Sequence, residues 1–183
     1  MTTYISILRG INVGGQNVIR MDAVKELYAD LHFVNIQTYI QSGNVVFQYH
    51  KSDRKDLELK ISSQLHNKFG LEVPVIVLDE FELKDIIDKN PYKDDNTKNI
   101  SHMHVTFLSS GSKLIDTEII CQKKSPEEEF LLTKNAVYLY CPNGYGKTRL
   151  TNNFFENKLK VGATTRNWKT ATELLIIAEK YQE

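Results

Sequence analysis

Short apolar runs alternate with amphipathic stretches along the first half of the chain. Residues 3–8 form an apolar run rich in β-formers and predict a strand. Four apolar residues then recur at the i, i+3, i+4, i+7 spacing that places them on one face of a helix. They are Val24, Leu27, Tyr28 and Leu31. This half therefore opens with a strand followed by a helix.

The same half continues with a hairpin, a second helix and a last strand. Residues 36–41 and 44–49 predict two strands, joined by the tight Ser-Gly-Asn turn at 42–44. A strand at 73–78 follows the second helix, for which Gly70 is the predicted C-terminal stop. One face of that helix carries Leu57, Ile61, Leu65 and Phe69. The predicted element order of this half is βαββαβ.

A linking helix and a polar segment separate this half from the next. Asp79 with Glu82 three residues later has the pattern of a capping box, which predicts a helix start. Residues 90–99 are polar and rich in turn formers, so they mark the boundary. We assign residues 1–90 to a first subdomain that includes the linking helix, and residues 98–183 to a second subdomain with a C-terminal helix.

The second half repeats the pattern of the first. Its predicted elements are a strand at 103–108, a helix at 112–121, strands at 129–133 and 136–140, a helix at 148–159, a strand at 162–165 and a helix at 168–181. Residues 40–49 also align with residues 131–140 at an offset of 91, which places Phe47 over Tyr138. Two βαββαβ units predict an α+β fold, a tandem duplication of two ferredoxin-like subdomains with antiparallel sheets.

Composition narrows the class of protein. The chain has 183 residues, 41% apolar and 25% charged, and its formal net charge is zero, so it has no general attraction to nucleic acid or membranes. It lacks the pattern of a signal peptide and any apolar run of the roughly 20 residues that span a membrane. We expect a cytoplasmic protein with Cys121 and Cys141 as free thiols. Its oligomeric state stays open.

Positive charge is concentrated in one part of the second half. Residues 144–170 contain six basic residues and one acid, Glu156, which is a net charge of +5. Such a cluster suits an anionic partner, although a solvated helix face is the simpler interpretation. The basic residues are Lys147, Arg149, Lys158, Lys160, Arg166 and Lys169.

Gly146-Lys147-Thr148 is the second half of a phosphate-binding loop signature. The full signature, G-x-x-x-x-G-K-[ST], requires a glycine where Cys141 stands, and Pro142 removes one backbone N–H from the turn. A nucleotide-hydrolysing loop is therefore not expected. Thr148 is predicted to cap the following helix, whose first amides, together with Lys147 and Arg149, would hold one anion. A plain capped turn is the alternative.

Two further sets of residues are better explained by packing or exposure than by metal or ligand binding. His102 and His104 share a strand face without a third nearby ligand, so we expect exposed histidines and no metal site. Phe47 is expected in the core, and Tyr138 belongs to the aromatic pair that is the better candidate for exposure, the kind on which RNA-binding sheets stack bases. Because the RNA-binding strand consensus is absent, packing against the other subdomain is the favoured use of these rings. No acyl-transfer or cofactor motif is present. No cofactor is expected, and the sequence favours a binding protein over an enzyme.

Five segments together resemble one protein family. They are "LRGINVGGQNVIRM", "TYIQSGNVVF", "NPY", "YGKTRLTN" and "ATTRNWKT", in this order along nearly the whole chain. The sequence resembles DUF1697, a bacterial family of domains of unknown function. The resemblance implies the duplicated ferredoxin-like fold, in agreement with the repeat, and it implies no reaction.

The family motifs fall in turns rich in Gly, Asn, Thr and Arg, which donate hydrogen bonds and allow close backbone approach. We hypothesise that they converge on a pocket for an anionic ligand, a phosphate-bearing small molecule, a nucleotide or a nucleic acid, with Arg9, Lys147 and Arg166 supplying charge. The candidate residues are Arg9, Asn12, Gly14, Gly15, Asn17, Gln41, Ser42, Asn44, Lys147, Thr148, Arg166 and Asn167. Two alternatives stay open: a structural or partner-binding protein in which these are hairpin and cap residues, or a small-molecule enzyme of unknown reaction.

Overall fold

Each half of the chain forms one four-stranded antiparallel sheet packed against helices. The structure, a computed structural model, describes residues 1–109 and 117–181. The first half contains β1 (Thr2–Leu8), α1 (Met21–Asp30), β2 (Val34–Tyr39), β3 (Asn44–Tyr49), α2 (Arg54–Phe69) and β4 (Val75–Asp79). Its strands lie in the order β2-β3-β1-β4, the order of a ferredoxin-like sheet.

The second half repeats this arrangement after α3 (Glu80–Asp88). It contains β5 (Met103–Leu108), α4 (Glu118–Lys123), β6 (Glu129–Leu132), β7 (Ala136–Tyr140), α5 (Asn152–Leu159), β8 (Ala163–Asn167) and α6 (Trp168–Glu179). In the strand order β6-β7-β5-β8, β5 has the position of β1 and β7 that of β3. The predicted fold, an α+β tandem duplication of two ferredoxin-like subdomains with antiparallel sheets, is confirmed.

The chain divides into two compact units whose limits fall inside helices. The first unit comprises Met1–Lys84 and the C-terminal segment that starts at Leu174, and the second comprises Asp85–Glu173. The division passes through α3 and α6, so each unit contains one complete sheet. The candidate residues from Arg9 to Asn44 therefore belong to the first unit, and those from Lys147 to Asn167 belong to the second.

Helices α1 and α2 cover one face of the first sheet because each carries the predicted apolar stripe. The sheet contributes Tyr4, Val45 and Phe47 to this core. Gly70 ends α2 in the left-handed conformation (φ 69°), which a helix C-terminus commonly requires. The buried helix residues are Met21, Val24, Leu27, Tyr28, Leu57, Ile61 and Leu65.

Helix α3 begins at the predicted capping box. Glu82 N donates to Asp79 Oδ1 at 2.9 Å, and Asp79 N donates to Glu82 Oε2 at 3.2 Å. Arg54 forms an ion pair with the other carboxylate oxygen of Glu82 at 2.6 Å. Burial raises the pKa of Glu82, while the Asp79 amide and Arg54 act in the opposite direction. The box lets α3 follow β4 with no intervening loop.

The register of the repeat differs by one residue from the sequence alignment. Leu8 N donates to Gly43 O at 2.7 Å in the first sheet, and Leu108 N donates to Asn135 O at 3.0 Å in the second. Gly43 therefore corresponds to Asn135, and the hairpin strands are related by 92 residues, the difference between 135 and 43. The predicted offset of 91 is wrong. A one-residue slip moves every side chain to the other face of its strand.

The slip changes the environment of the aligned aromatic residues. Phe47 is buried beneath the helices, as predicted, and stacks on Phe33 with ring centroids 4.4 Å apart. Tyr138 occupies the sheet face opposite to its neighbour Val137, is 1% exposed and donates its hydroxyl to Ile86 O at 2.8 Å. The prediction that Tyr138 belongs to the more exposed pair is therefore wrong. Its burial raises the pKa of the phenol.

Two predicted helices of the second unit have different boundaries. Helix α5 starts at Asn152 rather than at residue 148, because the chain before it forms a turn and a cap. Helix α4 overlaps the end of the helix predicted at 112–121. Residues 110–116 lie outside the described residues.

Candidate functional site

The Gly146-Lys147-Thr148 segment forms a tight turn and does not open a long helix. Lys147 N donates to Gly144 O at 3.1 Å and Thr148 N donates to Tyr145 O at 3.2 Å, so both amides are bonded within the turn. Gly144 has φ 89°, a conformation that favours glycine. The geometry differs from a phosphate loop, in which successive amides point outward at the anion.

Thr148 does not cap α5, contrary to the prediction. Its hydroxyl accepts a hydrogen bond from Leu150 N at 3.1 Å. The cap is Thr151, whose hydroxyl accepts from Phe154 N at 3.2 Å. Close by, Cys141 is a buried free thiol whose burial raises its pKa to about 12. Such a thiol is protonated and unreactive at neutral pH.

Thr165 is the centre of a hydrogen-bonded network on β8, an edge strand of the second sheet. Its hydroxyl donates to Asn152 Oδ1 at 2.6 Å, accepts from Tyr145 Oη at 3.0 Å and lies 2.7 Å from Thr106 Oγ1. A hydroxyl offers one proton and two lone pairs, so three partners satisfy it completely. The network joins the turn at 144–148 to β8.

His104 packs on this network and is a residue whose role the sequence did not predict. Its ring stacks on Tyr145 with centroids 4.9 Å apart, and its Nδ1 lies 3.2 Å from His102 O. Because a carbonyl oxygen only accepts, Nδ1 carries the proton and Nε2 has the free lone pair. Burial lowers the pKa of His104. Both histidines are half-buried rather than exposed as predicted.

Arg166 and Asn167 follow Thr165 in β8 and have different environments. Alternation along the strand directs Arg166 to the sheet face opposite to Thr165. Arg166 Nη1 donates to Thr165 O at 3.0 Å, and burial lowers its pKa to about 10, so it remains a cation at neutral pH. Asn167 Oδ1 accepts from Thr170 N at 2.8 Å and caps α6.

The candidate loop of the first unit forms a miniature hairpin. Gln16 N donates to Val13 O at 3.0 Å, and Asn12 N donates to Asn17 O at 3.2 Å. Gly14 (φ 59°) and Gly15 (φ 75°) form its exposed tip, where two consecutive positive φ angles are those of a type I′ turn. The two glycines therefore have a backbone role.

Asn12 fastens this hairpin to the β2–β3 turn. Its Nδ2 donates to Ile19 O at 2.9 Å and to Gln41 O at 2.8 Å, and its Oδ1 accepts from Ile19 N at 2.8 Å. Asn17 Nδ2 donates to Gly10 O at 3.2 Å. These asparagine side chains hold turns together, as the structural alternative expects.

The remaining candidates of the first unit surround this turn. Asn44 is fully buried and donates to Tyr39 O at 3.2 Å and to Ser42 Oγ at 3.0 Å. Arg9 is half-buried and its backbone N–H donates to Pro74 O at 2.9 Å. The Gln41 side chain is exposed.

The second unit carries exposed cations before α5, at its C-terminal end and at the start of α6. Five of the six basic residues at 144–170 are exposed, and none of these five forms an ion pair within residues 1–109 and 117–181. They are Lys147, Arg149, Lys158, Lys160 and Lys169. Glu156 is half-buried, and its carboxylate accepts from Ala163 N at 3.2 Å. We call Lys147, Arg149 and Lys169, which flank the two segments joined by Tyr145 and Thr165, the basic end.

Among the described residues, no three His, Cys, Asp or Glu side chains are grouped as ligands of a metal ion. The helices of the described part of the chain include none with the length and hydrophobicity needed to cross a membrane.

Comparison with known proteins gives a family match for the sequence and a similar structure for the fold. A family model described as "Protein of unknown function (DUF1697)" matches residues 1–138. The structure is similar to that of the conserved bacterial protein SP0830 from Streptococcus pneumoniae, with a TM-score of 0.71 and 21% sequence identity. The likeness covers 97% of this chain and 98% of that chain, and at this identity it concerns the fold alone. No protein with a curated description matches the sequence.

Proposed function

The chain belongs to the DUF1697 family, and we propose that this member binds an extended polyanion, a nucleic acid, on the exposed basic side chains of its second unit. One observation carries the proposal: five exposed cations at 144–170 have no ion-pair partner among the described residues. A surface with this charge releases counterions from a phosphate backbone when it binds. The interaction requires no cofactor.

The backbone amides near these cations are already hydrogen-bonded within the protein, which favours an extended ligand over a single nucleotide. Thr151 caps α5 and Asn167 caps α6, so each helix start already has a side-chain acceptor. The amides of Lys147 and Thr148 are bonded within their turn. A mononucleotide site usually gathers several outward amides around one phosphate. Separate ammonium and guanidinium groups suit a ligand whose phosphates are themselves spread out.

The proposal is tested by removing charge at the basic end without changing the fold. The variant Lys147→Gln/Arg149→Gln/Lys169→Gln alters only exposed side chains. Binding of a fluorescent single-stranded oligonucleotide is measured by anisotropy at low salt. We expect the variant to bind about tenfold more weakly, because counterion release scales with the number of neutralised phosphates.

A matched control removes the same charge from the first unit. Lys25, Lys51 and Lys55 are exposed and form no ion pair in the described part of the chain. The variant Lys25→Gln/Lys51→Gln/Lys55→Gln should bind as the unmodified protein does. Equal weakening by both triple variants would mean that only the overall charge matters, and the proposed surface would be rejected.

A further inference from the structure

Helices α4 and α5 of the second unit border a surface groove of about 350 Å³. Its walls are formed by residues spaced i, i+3 and i+4 on α4 and i, i+4 on α5. One stripe of each helix therefore faces the groove. The lining residues are Ile119, Gln122, Lys123, Phe154 and Lys158.

The groove is lined by two apolar side chains, two lysines and one glutamine. Phe154 is half-buried and packs edge-to-face on Phe155, with ring centroids 5.4 Å apart and an interplanar angle of 68°. Phe154 thus contacts a core residue, while Ile119, which also lines the groove, is 41% exposed. Lys123 and Lys158 are exposed and have no ion-pair partner in the described part of the chain.

We propose that this groove holds a base of a single-stranded nucleic acid, stacked on Phe154, while Lys123 and Lys158 contact the flanking phosphates. An aromatic face beside lysines is the usual construction of a single-strand binding site. A base within a duplex has no free face to offer to Phe154. The inference rests on the proposed function and adds to it the strandedness of the ligand and a contact to its bases.

Helix α5 connects the groove to the basic end. It starts at Asn152, which is bonded to Thr165, and Phe154 and Lys158 follow on the same helix. A helix of this length extends about 12 Å. A strand that contacts Lys147 or Lys169 thus reaches the groove by following α5.

The test compares two polyanions, of which only one has bases. Binding of a single-stranded thymidine oligomer and of inorganic polyphosphate is measured for the full chain and for Phe154→Leu. The leucine keeps an apolar side chain and loses the aromatic face. We expect about tenfold weaker binding of the oligomer and unchanged binding of polyphosphate. Phe81→Leu, at a 72% exposed phenylalanine of the first unit, should change neither.

A second variant keeps the test decisive if Phe154→Leu fails to fold. Phe154→Trp retains an aromatic face and adds a fluorescent indole, which a stacked base quenches. Quenching by the oligomer but not by polyphosphate or by an acidic peptide supports the inference. Equal binding of oligomer and polyphosphate, with no quenching, overturns the stacking site and leaves the proposed function standing. Absence of binding to either polyanion overturns both.

Discussion

Tyr145 donates its phenol proton to Thr165 Oγ1 at 3.0 Å, across 20 residues of sequence. The contact joins the turn that contains Lys147 to the strand that leads into α6. Thr165 is the shared partner, because Thr106 and Asn152 bond to the same hydroxyl. The placement of the basic end therefore depends on one threonine.

Replacing Thr165 by valine should destabilise the protein. The variant keeps the shape of the side chain but leaves Asn152 Oδ1 and Tyr145 Oη without their shared partner. Buried polar groups that lose a partner cost about 1–3 kcal/mol. Urea denaturation measures the decrease in the free energy of unfolding.

A double-mutant cycle assigns this cost to the Tyr145–Thr165 contact. Tyr145→Phe should cost about 0.5–1.5 kcal/mol alone and less in the Thr165→Val background, because the same bond is already lost. Tyr39→Phe is the control, since its hydroxyl has no hydrogen bond among the described residues. Strictly additive effects would contradict the assignment.

Asn12 should be the most sensitive residue of the first-unit loop. Asn12→Ala removes three hydrogen bonds between its side chain and the backbone and places an alanine at φ 55°. We expect a loss of about 2–3 kcal/mol in the free energy of unfolding. Asn12→Gly tolerates the φ angle and should lose less, which separates the backbone effect from the side-chain effect.

Gln16→Ala is the matched change at the tip of the same hairpin. Gln16 uses its backbone N–H in the turn and has an exposed side chain. Its replacement should alter the free energy of unfolding by about 0.5 kcal/mol at most. If Asn12→Ala were as mild, Asn12 would not hold the hairpin to the β2–β3 turn.

Thr151, and not Thr148, should behave as the cap of α5. Thr151→Ala removes the acceptor for Phe154 N and is expected to cost about 1 kcal/mol. Thr151→Asp restores an acceptor and should recover most of that stability. Thermal unfolding compares the two variants. An aspartate variant as unstable as the alanine variant would argue against the cap.

His104 should make the protein less stable as the pH falls below neutral. Burial holds its pKa below the ordinary value of 6.5, so between the two values the unfolded chain binds more protons. The stabilisation is complete above the unfolded-state pKa and is lost as the pH falls through the folded-state pKa. Thermal unfolding at about pH 7 and at about pH 5 measures the difference.

The variant His104→Gln should decrease this pH dependence. Glutamine does not titrate, so part of the fall in melting temperature between the two pH values disappears. His50→Gln, at an exposed histidine, is the matched control. If His104→Gln kept the pH profile of the unmodified chain, or if both variants changed it equally, the pH dependence would not come from His104.

Local sequence signals were sufficient to predict most of the fold. The apolar stripes of α1 and α2, the capping box of Asp79 and Glu82 and the Gly70 stop all depend on residues close together in the chain. The number and order of strands then define the ferredoxin-like topology. Because each of these signals lies within a few residues of the chain, a single sequence is enough to identify it.

The register of the repeat was missed because residue likeness does not specify which face a strand buries. Tyr49 and Tyr140 look equivalent when the halves are aligned at an offset of 91. The hydrogen bonds of Leu8 and Leu108 to the hairpins show the shift of one residue. The register in which two strands pair depends on the geometry of the turn that joins them. That geometry differs between the Ser-Gly-Asn turn and the turn that contains Asn135.

The Thr165 network was not predictable from one sequence. Tyr145, Thr106 and Asn152 are far apart along the chain, and no spacing rule brings them together. Strand alternation contains one signal for His104. It lies on the same face of β5 as Thr106 and Leu108, whose side chains are buried. The shared face indicates a partly buried histidine rather than an exposed one.

The salt dependence of nucleic-acid binding tests the central claim most directly. Affinity of the full chain for a single-stranded oligonucleotide is measured over a series of salt concentrations. If all five exposed cations contact phosphates, the logarithm of the association constant falls with the logarithm of salt with a slope of about −3.5. The Lys147→Gln/Arg149→Gln/Lys169→Gln variant should have a slope about 2 units shallower. Undetectable binding at low salt, or a slope near zero, would contradict the account.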